Sequence, residues 1–523
     1  MNKIFQIAAI VFFSSIPIAL LAQVPQTTWL DYGDDANGEG LIFKTDYGYI
    51  TFCGYVPLET FKLGVMVTGL NTNHEVLFQK PLISENASYG MYHGQSVIMS
   101  NDFGYYQVLF YSTSPTQGYP MLVRYNNEGD TLWTKTYFPD DPWEYRDFVL
   151  TQTADSNLLL AGTHIIEPFD SDGILPWKQA IFKLNSDGDF ISINEHSGYR
   201  SLWNYSIMAT EDGFLTGGRM CLNVTDIVEQ RFRDFIRKFD NNGNSQWFTQ
   251  IQVPPAGAET GVYSLHPYTN GNYLYTGGRS GGVLPGDGST SNVKTRGVAG
   301  VLNSLNGDTL FEVHCQEVPG SYQTFFKLIQ TDAGGYVGVG THIDYFDGPS
   351  QGWPIGYMVK LDGNLNVEWY RYYVPSIWEG MGRWNNLTDV VENDNGTFTA
   401  LGMIYTFTGS GPQNGFIQDS YLITVDQLGC LVPGCEVAVQ ELDAEFGLTI
   451  YPNPASDYLT VQFITPGKWS IDLYNMQGKL VNSESVYKKH QHTLSIEALP
   501  SGIYLVNCTS AQGRTYSQRI IKN

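Results

Sequence analysis

The chain has 523 residues, a formal net charge of −23, only 15% charged residues, 55 Gly and 34 Tyr. That length accommodates two or more domains with sizeable cores, and abundant Gly and aromatics with few charges suit β-structure rich in tight turns. The acidity argues against nucleic acid and anionic membrane surfaces as partners, because binding phosphate takes clustered Lys and Arg.

The N-terminus reads as a leader. Lys3 is followed by an apolar run, Ile4 to Leu21, interrupted by Ser14, Ser15 and Pro17, and then by Ala22 and polar chain. This pattern predicts a signal peptide over 1–22. No later stretch is apolar for the ~18 residues that a spanning helix takes, so no transmembrane anchor is expected after the leader is removed.

The chain then repeats itself. An Asp/Asn/Gly turn recurs at Asp46, Asp102, Asp155, Asp212, Asn270, Asp332 and Asn393, with spacings of 56, 53, 57, 58, 62 and 61 residues. A second turn recurs at Asn71, Asn126, Asn185, Asp240, Asn303, Asp362 and Asp426. Between the turns lie short runs of β-branched and aromatic residues, which read as strands. In one unit these are Val97 to Ser100, Tyr106 to Tyr111, Met121 to Tyr125 and Leu132 to Tyr137. Four antiparallel strands repeated about every 57 residues predict an all-β fold, a β-propeller of seven four-stranded blades. Two stacked sandwiches are the rival all-β arrangement, and seven equal units with an offset end favour the ring. The seventh unit lacks an outer strand, whereas Thr28 to Gly33 supplies a spare one at the start. That N-terminal strand is expected to complete the last blade and latch the ring, giving a propeller over 28–430.

Several units end their second strand in Gly, a small residue and a longer one. Aligned on that Gly, the long residues are His164, Arg219, Arg279 and His342, a candidate ring of cations for an anionic or sugar ligand. The blander reading is that each ends a strand and pairs with a nearby carboxylate. Trp133, Trp247 and Trp369 fall inside repeat strands and are expected to pack between blades, while Trp143, Trp177, Trp203, Trp353, Trp378 and Trp384 fall between strands, where ligand contacts are common. The Asp/Gly clusters at 170–173 and 344–348 do not fit the EF-hand spacing and read as turns, so no metal is assigned. Of six cysteines, Cys430 and Cys435 are spaced for a small local disulfide. Residues 126–133 are similar to the Asp-box of sialidases, but the spacing from Gly129 to Trp133 is one residue too long and Asn127 replaces the Asp. Gly129 to Trp133 also looks like a quinoprotein blade. Neither likeness brings a catalytic set, no catalytic motif is found, and no catalytic residue or cofactor is assigned.

Residues 431–446 read as a linker, acidic and without strand pattern. Beyond it, 447–523 alternates apolar and polar residues and predicts a small antiparallel β-sandwich. Here seven Lys/Arg outnumber five Asp/Glu from Glu445 onward, so the acidity belongs to the body. The tail opens on Leu448-Thr-Ile-Tyr-Pro-Asn-Pro454, continues through Ile471 to Val481 and Leu499-Pro-Ser-Gly-Ile-Tyr504, and stops on Arg519-Ile-Ile-Lys-Asn523. This order of motifs resembles the type A C-terminal sorting domain of the type IX secretion system of Bacteroidetes. The motif positions are Pro452, Asn453, Pro454, Gly478, Gly502, Tyr504 and Lys522. The resemblance implies recognition by that export machinery and a secreted or cell-surface location, reached through the periplasm. The expected role is a binding or adhesion module for a glycan or surface protein. The alternative is a polysaccharide hydrolase or lyase with its site on one propeller face.

Overall fold

Alternating turns and β-branched runs form strands whose two faces are both apolar in the middle of each unit, so each sheet must be covered on both sides. A computed structural model shows how. It describes residues 26–30, 40–57, 62–91, 94–114, 117–138, 141, 144–166, 177–222, 232–252, 261–283, 293–315, 321–344, 354–373, 385–407, 416–431, 448–451, 455–475, 479–510 and 515–522. Seven antiparallel sheets of four strand positions are built within 26–425, each a meander from an inner to an outer strand. Blade one, for example, runs Gly40–Thr45, Gly48–Tyr55, Gly64–Asn71 and Val76–Leu82. Its second strand is buried at every position, whereas the outer strand is exposed or half-buried throughout.

Burial on both faces follows from stacking. The inner strand of each blade packs on the preceding blade around the circle, and that of blade one packs on blade seven (385–425). Every interface has its own apolar cluster: Phe52 and Val65 with Tyr105 and Val123 between blades one and two, for example, and Ile42, Tyr49 and Leu70 with Leu401 and Leu422 between one and seven. The seven-bladed ring is therefore closed.

Outer-strand aromatics tie each blade to the next. Trp247 Nε1 donates to the Ser304 carbonyl at 3.1 Å, and Trp369 Nε1 to the Gln427 carbonyl at 3.1 Å. Tyr137 and Tyr373 hydroxyls donate likewise to Gly188 and Gly429. The acceptors all sit in the second repeat turn of the following blade. In that turn an Asx side chain accepts two backbone N–H groups, as Asp240 Oδ1 does from Asn242 and Asn244.

The latch takes the expected form. The strand Gln26–Leu30 pairs antiparallel with Phe416–Val425 and supplies the outer strand of blade seven. Residues 31–33, the end of the expected latch, lie outside the described residues, as do the leader and 432–447. His74 of blade one seals the seam, with Nδ1 3.1 Å from Thr28 Oγ1 and Nε2 2.8 Å from Thr424 Oγ1. Behind it the Tyr49 hydroxyl donates to Asn393 Oδ1 and accepts from Thr399 Oγ1. Blade two departs from the expected pattern. Its inner strand is two pieces, Ser88–Met91 and Val97–Met99, both paired with Tyr105–Ser114. Between the pieces Gly94, at φ +89°, leaves the ladder and lies against the Tyr205 carbonyl of blade four. The Gln95 N–H donates to that carbonyl at 3.2 Å, and the Gln95 carbonyl accepts from Leu150 N–H of blade three at 2.9 Å.

The tail forms one five-stranded sheet curled into a half-barrel, where the pattern had suggested a sandwich. The strand Tyr458–Asn475 breaks register between Gln462 and Gly467. On one side it pairs with Leu480–Ser495; on the other it pairs first with Leu448–Tyr451 and then with Gly502–Ser510. That break lets one sheet wrap a single core of Ile450, Val461, Trp469, Leu494 and Ile520. Ala455 is pinned to the last strand, Thr515–Lys522, by a parallel bridge to Lys522. Cys430 is disulfide-bonded, and Cys435 lies outside the described residues; Cys53, Cys221, Cys315 and Cys508 are buried thiols outside any disulfide.

Two predictions concern the seam. Deleting Gln26–Leu30 exposes the edge of blade seven and removes the buried Leu30 from its core, and should cost more than about 3 kcal/mol in a denaturant melt. Burial pushes the His74 imidazole down to about 4 from 6.5, so the folded ring holds it neutral while the unfolded chain protonates it sooner. Its contribution is complete above about pH 6.5 and lost as pH falls towards 4, on the order of 3 kcal/mol. A His74→Gln variant should lose stability less steeply than the parent over that window.

Candidate functional site

A cavity of about 240 Å³ lies at the centre of the ring, where six blades contribute to its wall. How side chains reach it is set by the inner strands. In blades three to seven the inner strand breaks register with its neighbour at one level: Arg146/Val149, Asn204/Ser206, Val262/Ser264, Phe325/Lys327 and Leu387/Asp389. Such a bulge adds a residue that has left the ladder and re-aims its side chain. In blades four to seven the extra residues are Tyr205, Tyr263, Phe326 and Thr388, and all four line the cavity.

In blades five, six and seven the repeated Gly of the sequence pattern lies across from the bulge, and in blade four the residue after it, Gly218, does. A Cβ on Gly218, Gly277, Gly340 or Gly402 would stand 1.9, 2.2, 1.9 or 2.2 Å from the inner-strand carbonyl of Trp203, Gly261, Thr324 or Asn386. Each of those carbonyls precedes the bulged residue by two positions. Only a residue without Cβ lets the inner strand approach so closely.

The bulge also gives the phase of the four residues singled out from sequence. His164 and His342 pair with Tyr145 and Gln323 of their inner strands, three residues before the bulged position, and Arg279 follows in the same phase. Arg219 pairs with Trp203, two residues before Tyr205, so it matches Thr341 and not His342. A shift of one residue turns a side chain to the opposite face of a strand. The four therefore do not form one ring. Arg219 lines the cavity. His164 is buried within blade three, its Nδ1 on Glu195 Oε1 at 2.5 Å and its ring stacked 4.0 Å from Tyr145. His342 is fully buried, 3.0 Å from Gln323 Nε2. The side chain of Arg279 lies outside the described residues.

The cavity combines rings, cations and neutral polar groups. The Tyr205 and Tyr263 rings are stacked with centroids 4.8 Å apart, and Phe326 meets Tyr263 edge-on at 5.6 Å. The Arg219 guanidinium lies 4.7 Å from both the Trp203 and Phe232 rings and 5.6 Å from Tyr205, a cation–π cage that fixes its direction. Asp234, buried, is its partner across the ladder. Lys327 is half-buried and makes no hydrogen bond or ion pair within 4 Å among the described residues. Its charge reaches Asp389, which is buried, and His266, which is half-buried. Burial raises the Asp389 carboxyl, opposed by Lys327 and by the N–H groups of Ile42 and Val390. Burial, with Lys327 adding to it, pushes His266 down to about 3. His266 Nε2 lies 2.5 Å from Ser264 Oγ at the cavity wall. Gln95, Ser96 and Asn386 complete the polar lining. Among the described residues no group of three His, Cys, Asp or Glu could hold a metal ion, and no helix is long and apolar enough to cross a membrane.

Sequence reasoning found Arg219 and missed Tyr205, Tyr263, Phe326, Lys327 and Asn386. Their signal was present: each lies in an inner strand opposite the repeated Gly. Of the loop tryptophans proposed as contacts, Trp177 and Trp203 belong to strands and meet edge-on at 5.1 Å. The others, Trp143, Trp353, Trp378 and Trp384, lie outside the described residues.

At the other end of the chain, Tyr504 is buried and donates its hydroxyl to the Pro500 carbonyl at 2.8 Å. Lys522 pairs with Gly502 in the closing strands, and Pro452, Asn453, Pro454 and Gly478 lie outside the described residues. Residues 449–523 match the family of the secretion system C-terminal sorting domain. The tail is a type IX sorting domain. The protein is thus a secreted cargo of that system, exported or attached to the cell surface. A comparison with curated proteins finds no match. Among solved structures, the chain is similar to a polysaccharide lyase of family PL25, an ulvan lyase, at 9% identity over 77% of this chain and 97% of that one, TM-score 0.44. It is also similar to a Dyadobacter fermentans protein of unknown function (8%, 65% and 100%, TM-score 0.38) and to a thermostable family-43 glycoside hydrolase (10%, 55% and 96%, TM-score 0.34). At such scores the ring rests on its own pairing and packing.

Gly340→Ala should cost about 1–3 kcal/mol in thermal or chemical melts, since its Cβ would overlap the Thr324 carbonyl. Gly363→Ala, where a Cβ meets nothing within 4 Å, serves as the silent control.

Proposed function

We propose that this exported propeller is a binding module of the cell surface or the surroundings of the cell, and that its ligand enters the central cavity. One observation carries the reading: among the described residues, the wall joins aromatic rings, two cations and neutral amide and hydroxyl groups, and holds no Asp, Glu or His. Aromatic faces stack on sugars and neutral polar groups fix orientation, which is the composition of a recognition site. Hydrolysis or elimination on a polysaccharide takes titratable groups converging within hydrogen-bond reach. At the wall Ser264 meets His266, and a histidine held at about 3 is a weak base at neutral pH. This favours binding over a lyase or hydrolase. Export follows the leader over 1–22, the periplasm and recognition of the tail by the type IX machinery, with the propeller over 28–430 and the linker over 431–446 as the delivered unit.

A glycan array probed with the full chain tests this. Bound glycans are expected, and Tyr263→Ala should abolish their signal while leaving the melting temperature unchanged. An array without hits, or hits indifferent to Tyr263, would count against the cavity as a recognition site.

A further inference from the structure

The cavity contains more than aromatic surface. Buried polar atoms in folded proteins are almost always hydrogen-bonded, so orphans gathered around one space mark a place for a polar guest. Ser96 is 0% exposed, and its Oγ has no partner among the described residues. Asn386 Oδ1 is likewise buried without one. The Lys327 ammonium, half-buried, completes the set, and all three residues line the same cavity. Ser96 comes from the blade-two excursion, Asn386 from blade seven and Lys327 from blade six, so no local turn chemistry accounts for their meeting. Arg219 adds a second cation held under its aromatic cage. Beside these groups stand Tyr263 and Phe326, turned inward by their bulges. In a chain of net charge −23, the charged groups lining the cavity among the described residues are the cations Arg219 and Lys327, with Asp234 and Asp389 buried behind them.

We infer that the cavity takes one ring of an anionic sugar, its carboxylate or sulfate on Lys327 and Arg219, its hydroxyls on Asn386 and Ser96, and an apolar ring face on Tyr263 and Phe326. The inference rests on the binding reading above and names its ligand class. The size agrees: about 240 Å³ falls below the roughly 300–1,000 Å³ typical of drug-sized ligands, which leaves room for a single pyranose and not for a longer buried segment. A charge-assisted hydrogen bond to a desolvated ammonium gives such a site its preference for the acidic sugar over a neutral one.

Isothermal titration of the full chain with three trisaccharides of one backbone, bearing a uronate, a sulfate ester or neither, tests the inference. One acidic trisaccharide is expected to bind at least about tenfold more tightly than the neutral one, and which of them does so identifies the anion. Lys327→Met should erase that preference. Asn386→Asp, which keeps Lys327 and adds a negative charge to the wall, should weaken the acidic ligand and spare the neutral one; it carries the test if Lys327→Met misfolds. Equal affinity for all three, lost in Phe326→Ala, would overturn the anion inference and leave the cavity as a binding site. An acidic preference that survives both Lys327→Met and Phe326→Ala would overturn the inference and the cavity reading together. No binding by any trisaccharide would overturn the anion inference, with the glycan array then deciding the wider reading.

Discussion

The close approach of the inner strand to a glycine in blades four to seven is the constraint on which the rest of the ring's centre depends. With no Cβ at Gly218, Gly277, Gly340 and Gly402, the inner-strand carbonyls of Trp203, Gly261, Thr324 and Asn386 sit where any other residue would exclude them. The inner strand can then carry an extra residue at the same level in successive blades. Those extra residues are the ones presented to the cavity. A packing requirement inside the blade thus decides the chemistry at the ring's centre, and the glycines act without touching anything that enters it.

Around that centre, closure is a matter of removing edges. A lone four-stranded blade would leave two apolar faces and two unpaired strands. Stacking covers the faces, and aromatic groups of the outer strands cover part of the rim by reaching the next blade's turn, as Trp369 does to Gln427. The final join is covalently discontinuous, because the first strand of the chain is the last strand of the ring. It is also where the most polar buried contacts collect: Thr28, His74, Tyr49, Asn393, Thr399 and Thr424 form one connected network. A fully satisfied network specifies one register, which an apolar seam would do less well.

Charge is organised on two scales. The body is strongly acidic, which keeps a secreted protein soluble and away from anionic surfaces, while the tail carries a slight basic excess. Within the acidic body, Lys327 is placed where neighbouring groups feel it, adding to the burial that depresses His266 and opposing the burial that raises Asp389. Net charge describes the surface of such a molecule and says little about its centre.

By itself, the sequence determined the repeat, its two turns, the strand order within a blade, the latch and the identity of the tail, because all of these are written in local spacing: period-two runs, Asx-Gly turns and a fixed order of motifs. It also contained the glycines of blades four to seven. Only the tertiary structure decided which side chains meet. In blade four the glycine against the inner strand is Gly218, one residue nearer the long side chain than in blade six, so Arg219 parts company with His164 and His342, and Tyr205, Tyr263, Phe326 and Lys327 come together from three different blades. The break in Tyr458–Asn475 likewise turned an expected sandwich into a half-barrel. Local spacing fixes which residues are neighbours on a strand, but a one-residue slip between strands reverses every face, and that slip is visible only when both strands are in place.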